Sequence, residues 1–164
     1  MKLQKIVSRL QELHPKEIDL SLDRIQNLCQ RLGNPQDKLK AISIVGTNGK
    51  YSTIQAMFAI LKEANIKCNI YTSPHIKNIN ERFVFNNEEL NDEELANLFE
   101  EIENANNNEP ITFFEILTAA YFLKASQYPD NINLIETGLF HRFDATNILK
   151  TNLASIVTSI GLDH

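Results

Sequence analysis

The chain has little of what disulfide-stabilised and metal-stabilised folds depend on. Its 164 residues include no tryptophan, two cysteines, five glycines and five prolines. Cys29 and Cys68 lie far apart and lack the CxxC or Cys/His spacing of a zinc site, so two buried thiols in a reducing compartment are expected. Hydrophobic residues make up 43% of the chain, which at this length predicts a single domain with one sizeable core.

Long apolar runs and an excess of positive charge are also missing. The formal net charge is -5, so no basic field would attract nucleic acid or an anionic membrane, and any anion needs a dedicated local site. The opening residues, MKLQKIVSRLQELH, alternate charged with apolar residues and lack the continuous apolar stretch of a signal peptide or membrane span. We therefore expect a cytoplasmic protein that binds small molecules and neither nucleic acid nor membrane.

Hydrophobic periodicity predicts an α/β fold. Two amphipathic helices are expected first, one ending at His14-Pro15 and one running from about Ser21 to Gly33. Short apolar runs at 41–45, 67–72, 82–85, 132–135 and 154–160 then alternate with helical patterns that begin near residues 50, 91 and 112. This alternation predicts a mainly parallel sheet with helices on both faces. We divide the chain into a helical opening segment, 1–39, and an α/β core, 40–164.

The strongest local motif is a glycine loop between a predicted buried strand and a predicted helix. It consists of Gly46, Thr47, Asn48, Gly49 and Lys50. Glycines let backbone N–H groups approach a polyphosphate, and the N-terminal end of a helix attracts anions. Lys50 would add a point charge, and a hydroxyl of Ser52 or Thr53 could reach Mg²⁺. The motif is not a full Walker A, since position 44 is isoleucine where that pattern has glycine, and by itself an ordinary turn remains the alternative.

Polar residues also follow other predicted strands. Glu136 ends an apolar strand at the rim where open α/β sheets bind ligands, and a buried carboxylate there would need a partner. Ser73 follows another strand, although a serine before Pro74 is also typical of a simple turn. His164 follows the last predicted strand as the terminal residue, where fraying is the alternative.

Seven segments, taken in order, resemble the folylpolyglutamate/dihydrofolate synthase family of the Mur ligase superfamily. They are GTNGK (46–50), YTSPH (71–75), NERF (80–83), TFFE (112–115), IETGL (135–139), RFDATN (142–147) and TSIGLDH (158–164). The upstream IDLSLDRIQNLCQRLGNP is similar to the opening segment of the same family. Other Mur ligases share the GTNGK loop and an acid near Glu136, whereas YTSPH, TFFE and DATN favour the folate branch.

The resemblance implies the N-terminal, P-loop-like ATP-binding portion of a ligase that uses ATP and Mg²⁺. Such an enzyme adds glutamate to dihydropteroate or a folate through an acyl phosphate. The resemblance implies Mg²⁺ ligation by Ser73, Glu136 and His164, with Ser52 as an additional ligand, and it implies catalytic roles for Lys50, Glu136 and His164.

The resemblance also implies where the organic substrate binds. The implied contacts are Asp19 in the opening segment together with Thr112, Phe114, Glu115, Arg142 and Asp144. Two of them have another interpretation from the sequence alone. Phe114 falls in an aromatic pattern at helical spacing that is typical of a core, and Glu115 is placed where acids favour the start of a helix. His75 and Arg82 lie in family motifs without an assigned role.

Two positions depart from the family pattern. Tyr51 stands where the family has a small residue after the lysine, and Phe140-His141 stand where it has two glycines. A non-catalytic nucleotide-binding remnant is therefore one alternative, and a fragment of a Mur-type peptidoglycan ligase is another. In the family the chain continues into a C-terminal domain. We therefore expect a truncated chain that does not complete ligation alone and self-associates through an open sheet edge.

Overall fold

The computed structural model describes residues 2–12, 21–138 and 141–162, with the backbone only at 141. Its helices are α1 (Lys2–Gln11), α2 (Asp23–Arg31), α3 (Lys50–Glu63), α4 (Asp92–Asn106) and α5 (Phe113–Ala125). Its strands are β1 (Lys40–Val45), β2 (Cys68–Tyr71), β3 (Phe83–Phe85), β4 (Glu88–Glu89), β5 (Ile132–Glu136) and β6 (Ala154–Val157). Within these ranges no helix has both the length and the apolar character needed to cross a membrane.

The six strands form one sheet in the order β4-β3-β2-β5-β1-β6. The four strands β2, β5, β1 and β6 run parallel, whereas β3 pairs antiparallel with β2 and β4 antiparallel with β3. The predicted mainly parallel sheet is thus confirmed. Because neighbouring strands are parallel, the carboxyl ends of β1, β2 and β5 meet at one edge of the sheet.

Helices cover both faces of the sheet, as predicted. Successive strand residues point to opposite faces. On one face, Ile70 of β2 and Leu134 of β5 pack against Ile54 of α3. The next residues along the same strands, Tyr71 and Ile135, belong to the larger core formed with the other four helices. The opening helices α1 and α2 therefore share the core of the domain, and the division at residue 39 stays a prediction.

The β3-β4 hairpin was not predicted from the sequence. β4 consists of Glu88 and Glu89, both exposed, so it carries no hydrophobic pattern. The turn is made by Asn86 and Asn87, whose φ angles are 54° and 72°. Consecutive residues in the left-handed region match the right-handed twist of a hairpin, and asparagine adopts that region more easily than most residues. The hairpin therefore depends on the backbone conformation of these two asparagines, because β4 has no hydrophobic pattern of its own.

A capping box begins α4 where the sequence predicted it. The Asn91 side chain accepts hydrogen bonds from the N–H groups of Glu93 and Glu94, each at 3.0 Å. The Glu94 carboxylate accepts in return from the Asn91 N–H at 3.1 Å. Two otherwise unpaired helix N–H groups are thereby satisfied, which fixes the start of the helix.

Candidate functional site

The glycine loop after β1 adopts a conformation that its glycines allow. Gly46 has a φ angle of 149° and Gly49, which immediately precedes α3, has 86°. A Cβ atom at Gly46 would lie 2.0 Å from Thr158 Oγ1, so any larger residue would clash. The predicted strand-loop-helix arrangement is confirmed, and the loop lies at the carboxyl edge of the sheet.

The loop is tied to the chain that follows β6. The N–H groups of Thr47 and Asn48 donate to the Ser159 carbonyl at 2.8 and 3.3 Å, and Thr158 Oγ1 donates to the Asn48 carbonyl at 2.7 Å. This cross-link explains why β6 ends at Val157 instead of at 160 as predicted, because Ser159 forms an isolated antiparallel bridge with Asn48. It also occupies two loop N–H groups that were expected to approach phosphate.

The first turn of α3 supplies other N–H groups. The first intrahelical bond runs from Thr53 N–H to the Gly49 carbonyl at 2.9 Å. The N–H groups of Lys50, Tyr51 and Ser52 precede that bond and therefore have no intrahelical acceptor. Such groups at a helix N-terminus are suited to anions. Ser52 is itself exposed and Thr53 half-buried.

Lys50 is folded back over the loop beside a buried carboxylate. Its Nζ donates to the Gly46 carbonyl at 2.7 Å and to the Thr47 carbonyl at 3.5 Å. The same atom lies 3.8 Å from Glu136 Oε1, with the lysine side chain 17% exposed. The predicted phosphate-binding lysine and the predicted rim carboxylate are therefore neighbours.

Glu136 connects the ends of two strands. It is the last residue of β5 and is buried, and its Oε2 accepts a hydrogen bond from the Ser73 N–H at 3.0 Å. Burial raises the pKa of Glu136, while the Ser73 N–H and the positive charges of Lys50 and Arg82 oppose that rise. A buried carboxylate at the rim of the sheet has the charge and position of a metal ligand.

A first cavity of about 800 Å³ opens over this group. Its wall includes Thr47, Asn48, Gly49, Lys50, Tyr51, Gln55, Phe58, Ser73, Pro74 and Glu136. The loop, the rim carboxylate and the serine after β2 therefore face one space. Ser52 and Thr53 lie on the same helix but outside this wall.

A second cavity of about 410 Å³ lies on the other side of Ser73 and Pro74, which line both cavities. Its wall includes Arg24, Ser73, Pro74, Arg82, Thr112, Phe114, Glu115, Gly138 and Asp144. The structure thus gathers four of the predicted substrate contacts, from α5 and from the segment after β5. The two cavities meet at the carboxyl end of β2.

Thr112 and Glu115 begin α5 with a second capping box. Thr112 Oγ1 accepts from the Glu115 N–H at 3.2 Å, and Glu115 Oε2 accepts from the Thr112 N–H at 2.8 Å. The helix-start interpretation of Glu115 is therefore confirmed. Arg24 Nε also donates to both oxygens of the Glu115 carboxylate at 3.2 and 3.1 Å, a pairing missed by sequence reasoning because the two residues are distant in the chain.

Phe114 belongs both to the core and to the second cavity. Its ring centroid lies 6.1 Å from that of Tyr71, a residue of the main core. It is only partly buried, and its other side lines the cavity beside Gly138, where a Cβ atom would lie 3.4 Å from Phe114 Cζ. One side of the ring therefore packs in the core, and the other side faces the cavity in which the resemblance places the substrate.

Asp144 and Arg142, both implied substrate contacts, differ in their position relative to the second cavity. Asp144 is buried, lines the second cavity and accepts a hydrogen bond from the Thr146 N–H at 3.0 Å. Arg142 is exposed, and its guanidinium lies 5.4 Å from the centre of the Phe143 ring. The structure brings the aspartate into the cavity wall but leaves the arginine outside it.

Comparison with known proteins shows what this site is similar to. No family model matches the chain. It is 38% identical over 160 residues to a dihydrofolate synthase/folylpolyglutamate synthase of Escherichia coli, covering 96% of this chain and 37% of that protein. A protein of the same name from Bacillus subtilis is 38% identical over 151 residues, covering 87% of this chain and 35% of the relative.

The solved structures that this chain resembles are synthases of the same kind as its sequence relatives. E. coli FolC in complex with DHPP and ADP matches with a TM-score of 0.90 and 36% identity, over 99% of this chain and 39% of that one. The chain is homologous to part of the dihydrofolate synthase/folylpolyglutamate synthases. The bifunctional synthase of Yersinia pestis, complexed with AMPPNP and Mn ion, matches with a TM-score of 0.90 and 33% identity, again over 99% of this chain and 39% of that one. The chain spans somewhat more than a third of the length of these synthases.

Several residues that resemble synthase motifs lie outside the described residues. These are Asp19, Phe140 and His164, together with the side chain of His141. The expected third metal ligand, His164, is therefore not placed. Within the described ranges, no group of three His, Cys, Asp or Glu side chains is arranged to hold a metal ion. The metal role of Ser73, Glu136, Ser52 and His164 stays a prediction.

Tyr51, the departure from the synthase pattern that the structure does describe, is 56% exposed at the mouth of the first cavity. It lies in the first turn of α3 and is not among the described residues with positive φ. The tyrosine therefore imposes no backbone strain on the loop. Its effect on a ligand depends on the space that its ring takes up.

Proposed function

We propose that this chain provides the nucleotide-binding and carboxylate-binding part of an ATP-dependent glutamate ligase that acts on dihydropteroate or a folate. One observation carries the proposal: two cavities meet at Ser73 and Pro74, with Lys50 and Glu136 beside the junction. Phosphoryl transfer needs a nucleotide and an acceptor held in line at short range, and a pair of joined cavities provides that arrangement.

The first cavity suits a nucleoside triphosphate. The glycine loop, the open N-terminal turn of α3 and Lys50 supply donors and positive charge for its phosphates. Related structures contain ADP or AMPPNP, which supports this assignment. Lys50 Nζ now donates to the Gly46 carbonyl, so it would turn from that carbonyl to a phosphate oxygen when nucleotide binds.

The residues of the site also fit a hard divalent cation. Glu136 Oε1 lies 3.8 Å from the Lys50 ammonium, beyond hydrogen-bond distance, and carboxylate and hydroxyl oxygens are preferred ligands of Mg²⁺. We propose Glu136, Ser73 and His164 as its protein ligands, with Ser52 as an additional one. When bound, the cation would neutralise phosphate charge, as Mn ion accompanies AMPPNP in the Yersinia pestis relative.

The second cavity suits an organic carboxylic acid with a flat ring. Phe114 offers an aromatic face, while Thr112, Glu115 and Asp144 offer polar atoms near Ser73. In the proposed reaction a carboxylate oxygen of this substrate attacks the γ-phosphorus of ATP and ADP leaves. The amine of glutamate then attacks the acyl carbon, the amide bond forms, and phosphate leaves with loss of a proton from nitrogen.

The names of the relatives favour the folate branch over a peptidoglycan ligase. E. coli FolC was solved with DHPP in addition to ADP. The substrate contacts Asp19 and Arg142 stay predictions, because the first lies outside the described residues and the second is outside the cavity wall.

The experiment is a binding and trapping assay with the purified chain. We expect Mg-ATP and pteroate to bind together by isothermal titration calorimetry. We further expect hydroxylamine, added with both ligands, to trap an acyl phosphate as the hydroxamate. Lys50→Ala is the matched negative control. Failure of the unmodified chain to bind Mg-ATP would contradict the nucleotide assignment, and binding of a nucleotide-linked sugar in preference to pteroate would contradict the substrate class.

We also propose that the sheet edge at β6 mediates self-association. β6 is the outermost strand, and Leu153, Val157 and Ile160 near it are 58%, 60% and 75% exposed. Unpaired strand edges with apolar neighbours favour pairing with another chain. Light scattering coupled to size-exclusion chromatography should give a concentration-dependent mass, and Val157→Lys should shift it toward the monomer. A constant monomer mass would contradict this proposal.

A further inference from the structure

A buried arginine in the second cavity has no role in the function proposed so far. Arg82 ends the short 3₁₀ turn that precedes β3, and its side chain is 8% exposed. It lines the second cavity, whose wall also contains Ser73 and Pro74, the two residues shared with the first cavity. An arginine at this place lies where the two proposed substrates must approach each other.

The two arginines of this cavity differ in their partners. Arg24 forms an ion pair with Glu115, with 3.1 Å between Nε and a carboxylate oxygen. Arg82, by contrast, forms no ion pair with any carboxylate in the described part of the chain. Its one side-chain hydrogen bond among those residues runs from Nε to His75 Nδ1, at 2.9 Å. Glu136 attracts this guanidinium only from beyond ion-pair distance. Burying a guanidinium without a directly bonded anion costs free energy unless a ligand supplies that anion.

His75 orients the guanidinium without neutralising it. Burial lowers the pKa of His75, and the positive charge of Arg82 lowers it further. These two effects outweigh the opposing charge of Glu81 and favour the neutral imidazole, which accepts the Nε–H of Arg82 through Nδ1. A guanidinium has five N–H groups in a planar fork, so four remain for a ligand. This geometry is suited to a carboxylate, which accepts two parallel hydrogen bonds.

We propose that Arg82 binds the carboxylate of the organic substrate in the second cavity, at the wall shared with the nucleotide, and that His75 is its positioning residue. This inference rests on the proposed function and assigns the residue that orients the reacting group. The carboxylate would lie beside Ser73 while the ring of the substrate packs against Phe114, whose face lines the same cavity.

The test compares a charged ligand with its neutral analogue on the full chain. Pteroate and its carboxamide share the ring system but differ in the anion that Arg82 would bind. Calorimetry should show that the unmodified chain prefers pteroate, and that Arg82→Gln weakens pteroate binding about 10- to 100-fold. The affinity for the carboxamide should change less than about twofold. Arg9→Gln, at an exposed arginine of α1, is the matched control and should leave both affinities unchanged.

Two further variants separate binding from folding. Arg82→Lys keeps the charge but lacks the planar fork, so it should retain part of the preference for pteroate. His75→Ala should weaken pteroate binding in the unmodified background and have little effect in Arg82→Gln, since a positioning residue acts only through its partner. Circular dichroism and urea unfolding check each variant. If Arg82→Gln does not fold, the preference for pteroate over the carboxamide is measured in Arg82→Lys and His75→Ala instead. A preference as strong as in the unmodified chain in both variants would overturn the assignment of Arg82.

The outcomes distinguish this inference from the proposed function. Equal loss of affinity for pteroate and carboxamide, or no loss for either, overturns the assignment of Arg82 while leaving the substrate class intact. A chain that binds both ligands equally well before mutation overturns the assignment too. A chain that binds Mg-ATP but neither pteridine ligand contradicts the substrate class, and this inference fails with it.

Discussion

The two ends of the parallel sheet both bury polar side chains, but they satisfy them differently. At the amino end, Asn69 Nδ2 donates to Asn133 Oδ1 at 3.0 Å, and Tyr121 OH donates to the same oxygen at 2.9 Å. Asn131 Nδ2 in turn donates to Asn69 Oδ1 at 3.0 Å. At the carboxyl end, Glu136 and Arg82 are also buried but bind mainly backbone or neutral groups.

The difference separates a structural network from a ligand site. The amino end closes on itself, because the buried amides of Asn69, Asn131 and Asn133 find partners within the protein, which rigidifies the core. The carboxyl end leaves charges that are incompletely paired around two cavities, at a cost in stability that a ligand would offset. Mutations at the two ends should therefore affect different quantities, stability at one end and binding at the other.

The largest expected effect is at the amino end. Asn133→Leu keeps the branched shape but leaves Asn69 Nδ2 and the Tyr121 hydroxyl without their acceptor. Because unsatisfied buried polar groups cost about 1–3 kcal/mol each, we expect the free energy of unfolding to fall by about 4 kcal/mol. Urea unfolding measures this. If the free energy of unfolding falls by less than about 1 kcal/mol, the network contributes little to stability, and the proposed difference between the two ends of the sheet is wrong.

The next effect belongs to the carboxyl end. Lys50→Ala removes a phosphate-binding charge from a loop and should weaken Mg-ATP binding about 100-fold or more, equivalent to about 2.7 kcal/mol. The free energy of unfolding should change by less than about 1 kcal/mol, because the hydrogen bonds of the lysine go only to loop carbonyls and its Nζ lies 3.8 Å from Glu136 Oε1, beyond hydrogen-bond distance. Calorimetric titration with unchanged ATP affinity would reject the phosphate role.

A smaller effect is expected at Tyr51, an exposed residue that lines the first cavity. If the ring obstructs the nucleotide, Tyr51→Gly should tighten ATP binding several-fold, despite a helix cost of about 1 kcal/mol for glycine. Tyr51→Ala is the matched variant without that backbone cost. Weaker binding in both variants would show instead that the tyrosine contacts the nucleotide. Tyr51 would then no longer support the alternative that the chain is a non-catalytic remnant.

The smallest effect is the pH dependence of stability at Glu136. Its pKa is raised in the folded protein, so the folded state holds a proton that the unfolded state has lost. The contribution of this carboxyl to stability therefore falls as pH rises from the unfolded pKa through the folded one. Relative to the unmodified protein, Glu136→Gln should be more stable at pH 7 than at pH 4. Urea unfolding at both values measures the difference, and a constant offset would reject the shift.

The same substitution separates metal binding from folding. Glu136→Gln keeps the shape but not the charge that a hard cation prefers, so the Mg²⁺ dependence of ATP binding should weaken. Ser73→Ala is a useful partner variant, because it removes the hydroxyl but leaves the N–H bonded to Glu136. Equal Mg²⁺ dependence in all three proteins would contradict the proposed ligand set.

Prediction from sequence succeeded where the signal is local. The periodicity of α5, the glycine loop before α3 and the acid at the end of β5 each lie within a few residues of one another along the chain. The role of the asparagines in turns was not predicted from the sequence. Every described non-glycine residue with positive φ is an asparagine, at positions 34, 65, 86, 87, 107 and 108, so this residue serves at turns where glycine is scarce.

The sequence by itself determined the order of helices and strands, the glycine loop before α3 and the family resemblance, because hydrophobic period, glycine positions and motif order can be read along the chain. Tertiary structure alone decided that Arg24 pairs with Glu115, that Ser159 holds the loop, and that Arg82 lies buried with no carboxylate of the described residues within ion-pair distance. These contacts join segments brought together by the packing of strands and helices. Only that packing sets which charges are paired and which are left for a ligand.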